Sequence, residues 1–196
     1  DAVVYGRTGH AAHGGGSCLR CQKIDLVFKN PDKTCRRKYS KRSREIMRDS
    51  AKNRAYFRHF HPITTRWSDN DAYGHVNNVI YYHWFDTVVN QFLIVNGTLD
   101  IHAGEAIALV VETHCNYFSS VAFPDPVTAG LCVTRLGESS VRYEVGIFRG
   151  DEDVASAQGH FVHVYVDSAT RKPTPIPGPA RALLQSIQIE TTKAST

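Results

Sequence analysis

The residues best suited to chemistry in this 196-residue chain lie in one short stretch, Ser68 to Asn78, "SDNDAYGHVNN". It sets two carboxylates (Asp69, Asp71), a glycine (Gly74), an imidazole (His75) and two carboxamides (Asn77, Asn78) just ahead of a long apolar and aromatic run, Val79 to Val95. Two jobs compete for such a knot. Asp and Asn are good helix N-caps, because their oxygens accept hydrogen bonds from amides that the first helical turn leaves unpaired. A helix start also presents the positive end of the backbone dipole. A carboxylate held beside it can act as a nucleophile or as a general base on water. The free amides can meanwhile hold negative charge developing on an oxygen, each such donor being worth roughly 2.7–4 kcal/mol. Asp71 lies three residues ahead of Gly74, so its carboxylate can sit beside that helix end, and glycine there lets backbone approach a ligand closely. His75 brings an imidazole, suited to proton transfer or to orienting its neighbours. Asn77 and Asn78 can cap the turn or bind substrate through their amides, and Tyr81 on the first helical turn can line a pocket or pack in the core.

The elements that must position this stretch are legible as changes of period. "HPITTRWSD" reads as a strand, with Ile63, Thr65 and Trp67 alternating. In the run after it, Tyr81, Phe85, Val88/Val89 and Phe92 recur at helical spacing. Ile80, Trp84 and Leu93 make that helix apolar on more than one face, so it is expected to be buried, with Asn96-Gly97 as its stop. Four strands follow: "ALVVETHCNYF", "PDPVTAGLCVTRL", "VRYEVGIF" and "VASAQGHFVHVYV", punctuated by Gly137 and Gly150-Asp151. Ala180 to Ile187 reads as a short terminal helix. The expectation is an α+β domain, in which one strand, one long buried helix and an antiparallel meander of four strands form a sheet of about five strands wrapped around the helix. Such a sheet must cover its outer face, and pairing with a second copy would do so.

Composition narrows the classes. With 42% hydrophobic and 10% aromatic residues the chain can bury a core, and no stretch approaches the ~18 consecutive apolar residues of a membrane span. The net charge of +4 is uneven. Residues 1–53 carry 13 Lys and Arg against five Asp and Glu, a net +8, and the remainder carries 10 against 14, a net −4. The basic character therefore belongs to the leading segment, and nucleic acid is not an expected partner of the body. Five cysteines (18, 21, 35, 115, 132) without a regular framework favour a reducing compartment. The expected location is cytoplasmic, or mitochondrial if the basic segment is a transit peptide. Residues 1–53 read as a low-order extension, 54–190 as the domain and 191–196 as a tail. The only methionine, Met47, falls just ahead of the organised region, so residues 1–46 can also be read as translated sequence outside the working protein. His10, His13, Cys18 and Cys21, with Cys35, offer zinc-type ligands, but their glycine-rich spacing has no apolar residues to fold around a metal, and no metal is expected.

Taken whole, Arg66 to Asp86, "RWSDNDAYGHVNNVIYYHWFD", resembles the signature of the hotdog-fold thioesterases, in particular the acyl-CoA thioesterases of the 4-hydroxybenzoyl-CoA thioesterase-like group. The resemblance continues through "NYFSSVAFPDPV", "RLGESSVRYEVGIF" and "VYVDSATRKPTPIP", covering roughly residues 59–187. It implies a hotdog fold, self-association as a dimer or tetramer, and hydrolysis of an acyl thioester. Coenzyme A would be part of the substrate, with no separate cofactor. By the same resemblance Asp71 is the catalytic carboxylate, and the helix after Gly74 supplies the amide that polarises the thioester carbonyl, nearest Asn77 or Asn78. From the residues themselves, His75 is a candidate for the catalytic set or an orienting group, and Asn77 and Tyr81 are candidates for binding substrate, with capping and core packing as their other jobs. Asp69 is left as a turn or orienting residue, and Asp86, the family's helix acid, as a structural hydrogen-bonding group at a subunit interface. An acyl-carrier-protein thioester is the alternative substrate, and a non-catalytic acyl-CoA-binding module the alternative class. Among other chemistry-bearing residues, His114, His160 and His163 read as sheet-face residues and Cys115 as a buried small hydrophobe. Arg135, Arg142, Arg149, Arg171 and Lys172 read either as guides for coenzyme A phosphates or as solvated strand-edge charges.

Overall fold

The computed structural model describes residues 50–190, apart from residues 101 and 103. The cysteine- and histidine-bearing basic segment, Met47 and the tail 191–196 lie outside the described residues. The elements are β1 (His59–Ile63), α1 (Asn78–Val95), β2 (Ala106–Tyr117), β3 (Val127–Leu136), β4 (Ser140–Arg149), β5 (Ala157–Asp167) and α2 (Gly178–Ser186). All strand pairs are antiparallel and the sheet order is β1-β3-β4-β5-β2. This is the α+β hotdog arrangement, five strands with one long helix packed against them.

The order corrects the expected four-strand meander. Only β3, β4 and β5 follow one another as hairpins. β2 does not neighbour β3; it pairs with β5 on the opposite edge, from Ala106↔Asp167 to Tyr117↔Ala157. The reason is α1, which packs against the central strands β3 and β4. The strand that enters the helix and the strand that leaves it therefore fall on opposite edges. β1 is also shorter than the alternation Ile63, Thr65, Trp67 suggests. Its last residue, Ile63, pairs with Val127, the first residue of β3, so the chain beyond has no ladder partner. It turns instead through a 3-10 turn at Trp67–Asp69, leaving Trp67 79% exposed. Pro62, which has no amide to give a ladder, is tolerated because β1 is an edge strand.

α1 buries Tyr81, Trp84, Phe85, Val88, Val89, Phe92 and Leu93, residues that recur three and four apart and so share one face. Away from that face, Val79, Ile94 and Val95 stay exposed, with no cover among the described residues. Its C-terminus closes through Gly97 at φ 66°, with the Thr98 amide returning to the Leu93 carbonyl (3.0 Å). A smaller apolar cluster, with Phe57, Cys132, Phe148 and Ile189, covers part of the outer sheet face. Lys52 and Asn53 join the domain edge: the Lys52 amide donates to Gln158 Oε1 (2.9 Å), and Asn53 bridges to Val154. Among the described residues no helix is long and apolar enough to cross a membrane.

β2 is the unusual strand. One residue, Val111, is bulged out between Val110 and Glu112, and Leu109, Val110 and Val111 are 41%, 47% and 61% exposed. A long edge with exposed apolar side chains is a template for another strand.

Helix and sheet meet most tightly where Phe85 crosses β5. A Cβ on Gly159 would lie 2.6 Å from the Phe85 ring and would run into the His114 carbonyl oxygen of β2. Gly159→Ala is therefore expected to lower the unfolding free energy by about 1–3 kcal/mol or more, the usual cost of overpacking a core, as measured by urea unfolding. An unchanged midpoint would show that helix and sheet have slack at this contact.

Candidate functional site

The loop between the 3-10 turn and α1 is tied down from both sides. Asp69, the first carboxylate, is wholly buried, and its Oδ1 accepts from Arg66 Nε (3.0 Å) and Nη2 (2.9 Å). Its Oδ2 accepts the Arg66 amide (2.8 Å), and its carbonyl accepts the Asn77 amide (2.8 Å). Asp69 thus fixes the turn on one side and the helix cap on the other.

Asp71 faces the other way and is only partly buried. Its Oδ1 accepts from the amides of Tyr73 (2.8 Å) and His75 (3.4 Å), and its own amide donates to the His75 carbonyl (2.8 Å). The second carboxylate oxygen takes no hydrogen bond from the described residues. The Gly74 amide closes the turn onto the Asp71 carbonyl (3.1 Å). Gly74 sits at φ 82°, yet a Cβ there would meet nothing within 4 Å. Glycine is needed here for its left-handed conformation rather than for ligand clearance.

α1 starts at Asn78, with Asn77 as its N-cap. Asn77 Oδ1 accepts from the Val79 amide (3.2 Å), its carbonyl accepts from Ile80 (3.0 Å), and its amide is taken by Asp69. The Val76 amide goes to the Val121 carbonyl (2.8 Å). Among the described residues from Tyr73 to Ile80, Asn78 is the one whose amide has no acceptor.

Asn78 opens into a cleft of about 390 Å³ that Asp71, His75 and Tyr81 also line. Of the six residues singled out from sequence, these four are brought together. Gly74 and Asn77 shape the loop without lining the cleft. The opposite wall, Tyr117 to Ser120, carries no residue that sequence reasoning assigned to the site. The Tyr117 hydroxyl donates to the Asn78 carbonyl (3.3 Å), and its ring packs edge-on against Tyr81 with centroids 5.0 Å apart. Burial pushes the Tyr81 phenol up to about 12 and also raises Tyr117, so both remain hydrogen-bond donors at neutral pH. The only signal for this wall was "NYFSSV", 39 or more residues downstream, and nothing local ties it to the loop. Arg149 props it from behind by donating to the Ser120 carbonyl (3.1 Å) while paired with Glu152.

The remaining candidates separate from the cleft. Burial raises the Cys115 thiol to about 11, which leaves it a poor nucleophile. On the outer sheet face His160 is held between Arg142 (2.8 Å to Nδ1) and Glu112 (2.7 Å from Nε2), with the His114 ring stacked beside it. An arginine can only donate, so Nδ1 is the acceptor and the ring is neutral. Arg142 is thereby occupied, while Arg135, Arg171 and Lys172 are exposed. Among the described residues no group of three or more ligating side chains could hold a metal ion.

Comparison with known proteins bears on the fold and the family. The PA5185 protein of Pseudomonas aeruginosa strain PAO1 is 49% identical over 72% of this chain and 99% of its own, with a TM-score of 0.70. The PA2801 protein of the same organism is 30% identical over 63% of this chain and 95% of its own, with a TM-score of 0.60. A 1,4-dihydroxy-2-naphthoyl-CoA thioesterase from Synechocystis is 17% identical over 64% of this chain and 94% of its own, at a TM-score of 0.59, and shares the fold. No curated protein matches the chain in sequence. The family model of the thioesterase-like superfamily matches residues 65–185, from just before Arg66 to the last turn of α2. The loop, the helix start and the Tyr117–Ser120 wall all fall inside that match, and the chain belongs to the thioesterase-like superfamily.

Proposed function

We propose that this protein hydrolyses acyl-coenzyme A thioesters to a free acid and coenzyme A, in the cleft between Asp71 and the start of α1. The observation that carries the reading is the Asn78 amide, at the positive end of α1, which alone from Tyr73 to Ile80 has no acceptor among the described residues and belongs to a residue lining the same cleft as Asp71. Membership of a thioesterase superfamily supports thioester chemistry. The Synechocystis neighbour, named for a coenzyme A thioester, supports coenzyme A as the carrier.

In this reading the thioester carbonyl oxygen accepts from the Asn78 amide, which draws electrons from the carbonyl carbon. Asp71 then attacks that carbon and expels the thiolate, leaving an acyl–aspartyl anhydride that water cleaves, or it takes a proton from a water that attacks directly. Both routes consume one water and release one carboxylic acid and one thiol. His75, at the cleft rim, returns a proton to the departing sulfur. Tyr81 and Tyr117 form the wall along the acyl group. Asn77 and Asp69 act through position, since by taking the Val79 and Asn77 amides they leave Asn78 as the donor that faces substrate.

A second copy fits the exposed β2 edge. Pairing two β2 strands would cover Leu109 to Val111 and continue the sheet across the junction.

Three outcomes test these proposals. On a panel of acyl-CoAs followed by thiol release, Asp71→Asn should lower kcat roughly 10²–10⁴-fold with acyl-CoA binding retained. Full turnover by that variant removes Asp71 from the chemistry, and a wild type that binds acyl-CoA without turnover favours the binding-module class. Asn78→Pro deletes the amide in question together with the Asn78 carboxamide, and Asn78→Ala, which keeps the amide, is the control that separates the two. Proline is well accepted at the first helical position, and Asn77 already has the extended backbone (φ −61°, ψ 140°) that a residue before proline adopts. It should cost roughly 10²–10³ in kcat with little change in Tm, whereas an unchanged kcat would move the oxyanion donor elsewhere. Val111→Lys places a charge on the β2 edge and should shift the mass measured by light scattering from two copies to one.

A further inference from the structure

Arg149 reads from sequence either as a guide for coenzyme A phosphates or as a solvated charge, and the structure gives it a different task. β2 ends at Tyr117, which pairs with Ala157 at the start of β5, and the chain then leaves the ladder through Phe118, Ser119 and Ser120. Ser119 and Ser120 are exposed, yet both line the cleft with Asp71, His75 and Asn78. Backbone bonds anchor the segment at its two ends. The Phe118 and Ser119 amides donate to the Ser156 carbonyl (2.8 and 3.0 Å), and the carbonyl of Val121, the next residue and a buried one, accepts the Val76 amide (2.8 Å). Between those anchors the Ser120 carbonyl is held by a side chain, accepting from Arg149 Nη1 (3.1 Å).

Arg149 is fixed in its turn. Its Nε donates to Glu152 Oε1 (2.9 Å) and Nη2 reaches the same oxygen, which aims the remaining arm of the fork, Nη1, at Ser120. Glu152 lies in the turn between β4 and β5, and Arg54 clamps that turn. Arg54 Nη2 donates to the Gly150 carbonyl (2.7 Å) and Nε to the Glu152 carbonyl (2.9 Å), with the guanidinium 4.6 Å from the centre of the Phe148 ring. The charge of Arg149 is answered within the protein, by Glu152 first and then by Asp125, which together strengthen its hold on its proton. A cation already answered by two carboxylates attracts a substrate phosphate weakly. The pair is also exposed, at 40% for Arg149 and 42% for Glu152, and exposed ion pairs contribute little to stability.

We propose that Arg149 is a positioning residue for the hydrolysis. Its bond to the Ser120 carbonyl sets where the Ser119–Ser120 wall stands relative to Asp71 and Asn78, and so how the thioester carbonyl is placed between them. That the cleft takes a thioester rests on the hydrolase reading above; that Arg149 and Glu152 hold the wall does not.

The test uses two thioesters of one acyl group, octanoyl-CoA and octanoyl-N-acetylcysteamine, the second of which carries no phosphate. Thiol release is measured for wild type, Arg149→Ala, Arg149→Lys and Glu152→Ala, and the Ser119 and Ser120 amide resonances are recorded by NMR in the same proteins. Small misplacements of reacting groups cost up to about 10²-fold in rate. Arg149→Ala is expected to lower kcat roughly tenfold, by the same factor on both thioesters and with KM little changed. Glu152→Ala should act in the same direction, because the fork that aims Nη1 is released. Arg149→Lys keeps the charge but replaces the fork with a single nitrogen, and should stay nearer to Arg149→Ala than to wild type. A rise in KM confined to octanoyl-CoA, restored by lysine, would make Arg149 a phosphate guide and overturn the proposal. Unchanged kinetics in Arg149→Ala and Glu152→Ala overturn it as well. If the wild type releases thiol from neither thioester, the hydrolase reading falls and the resonances decide. Movement of Ser119 and Ser120 in both variants then supports Arg149 as the holder of the wall, and unmoved resonances overturn that too.

Discussion

Phe85 lies over Gly159 with no room for a methyl group between helix and sheet, and much else in the molecule follows from that seating. It holds the buried face of α1 against the sheet, with Val88, Val89 and Phe92 continuing the contact along the helix. A helix fixed in this way has a fixed start. Asn77 and Asn78 therefore stand at one place relative to the β2 end, where Tyr117 can reach the Asn78 carbonyl. The same seating carries Asp86 and Asn90 to the other end of β2, where they line a second cavity with His163. One packing interaction thus sets the positions of the cleft and of that cavity.

The loop ahead of α1 shows how polar groups are distributed between structure and chemistry. Of its two aspartates, the first is fully buried and paired with Arg66, while the second keeps an oxygen free of donors from the described residues and lines a cleft. Burying an unpaired carboxylate is costly, and the Arg66 pairing offsets that cost for Asp69. Asp71 has no need of such a partner because it stays partly in solvent. Backbone amides follow the same division. Each donor from Tyr73 to Ile80 is committed to stabilising the turn or the cap except the one at Asn78, which leaves a single directed donor rather than a diffuse positive helix end.

A sheet with one helix on one face leaves a surface to be covered, and the two ends of the problem are solved differently. The outer face is partly sealed by Phe57, Phe148 and Ile189, and partly occupied by the Arg142–His160–Glu112 chain, whose polar groups satisfy one another. The β2 edge and the exposed side of α1 have no such cover among the described residues. β2 lends residues to the cleft and to the second cavity, so in the proposed assembly a second copy would border the candidate site as well as complete the sheet.

The sequence by itself determined the elements, because period is local: α1 reads from the spacing of Tyr81, Phe85, Val88 and Phe92, and β3 to β5 from alternation broken by glycine. It also marked the loop that lines the candidate cleft, since Asp, Gly, His and Asn crowd into eleven residues, and the family pattern named Asp71 rather than Asp69 as the candidate. The order of strands was not legible, because which edge β2 takes depends on how α1 lies across the sheet and not on any residue in β2. The same holds for the Tyr117–Ser120 wall and for the isolation of His163, which in sequence looks like His160 three residues before it. One of these histidines points to the outer face and finds Arg142 and Glu112; the other packs against Tyr143 and Phe161 and finds no hydrogen-bond partner among the described residues. A strand alternates its faces by rule, but what waits on each face is decided only when distant segments pack against it.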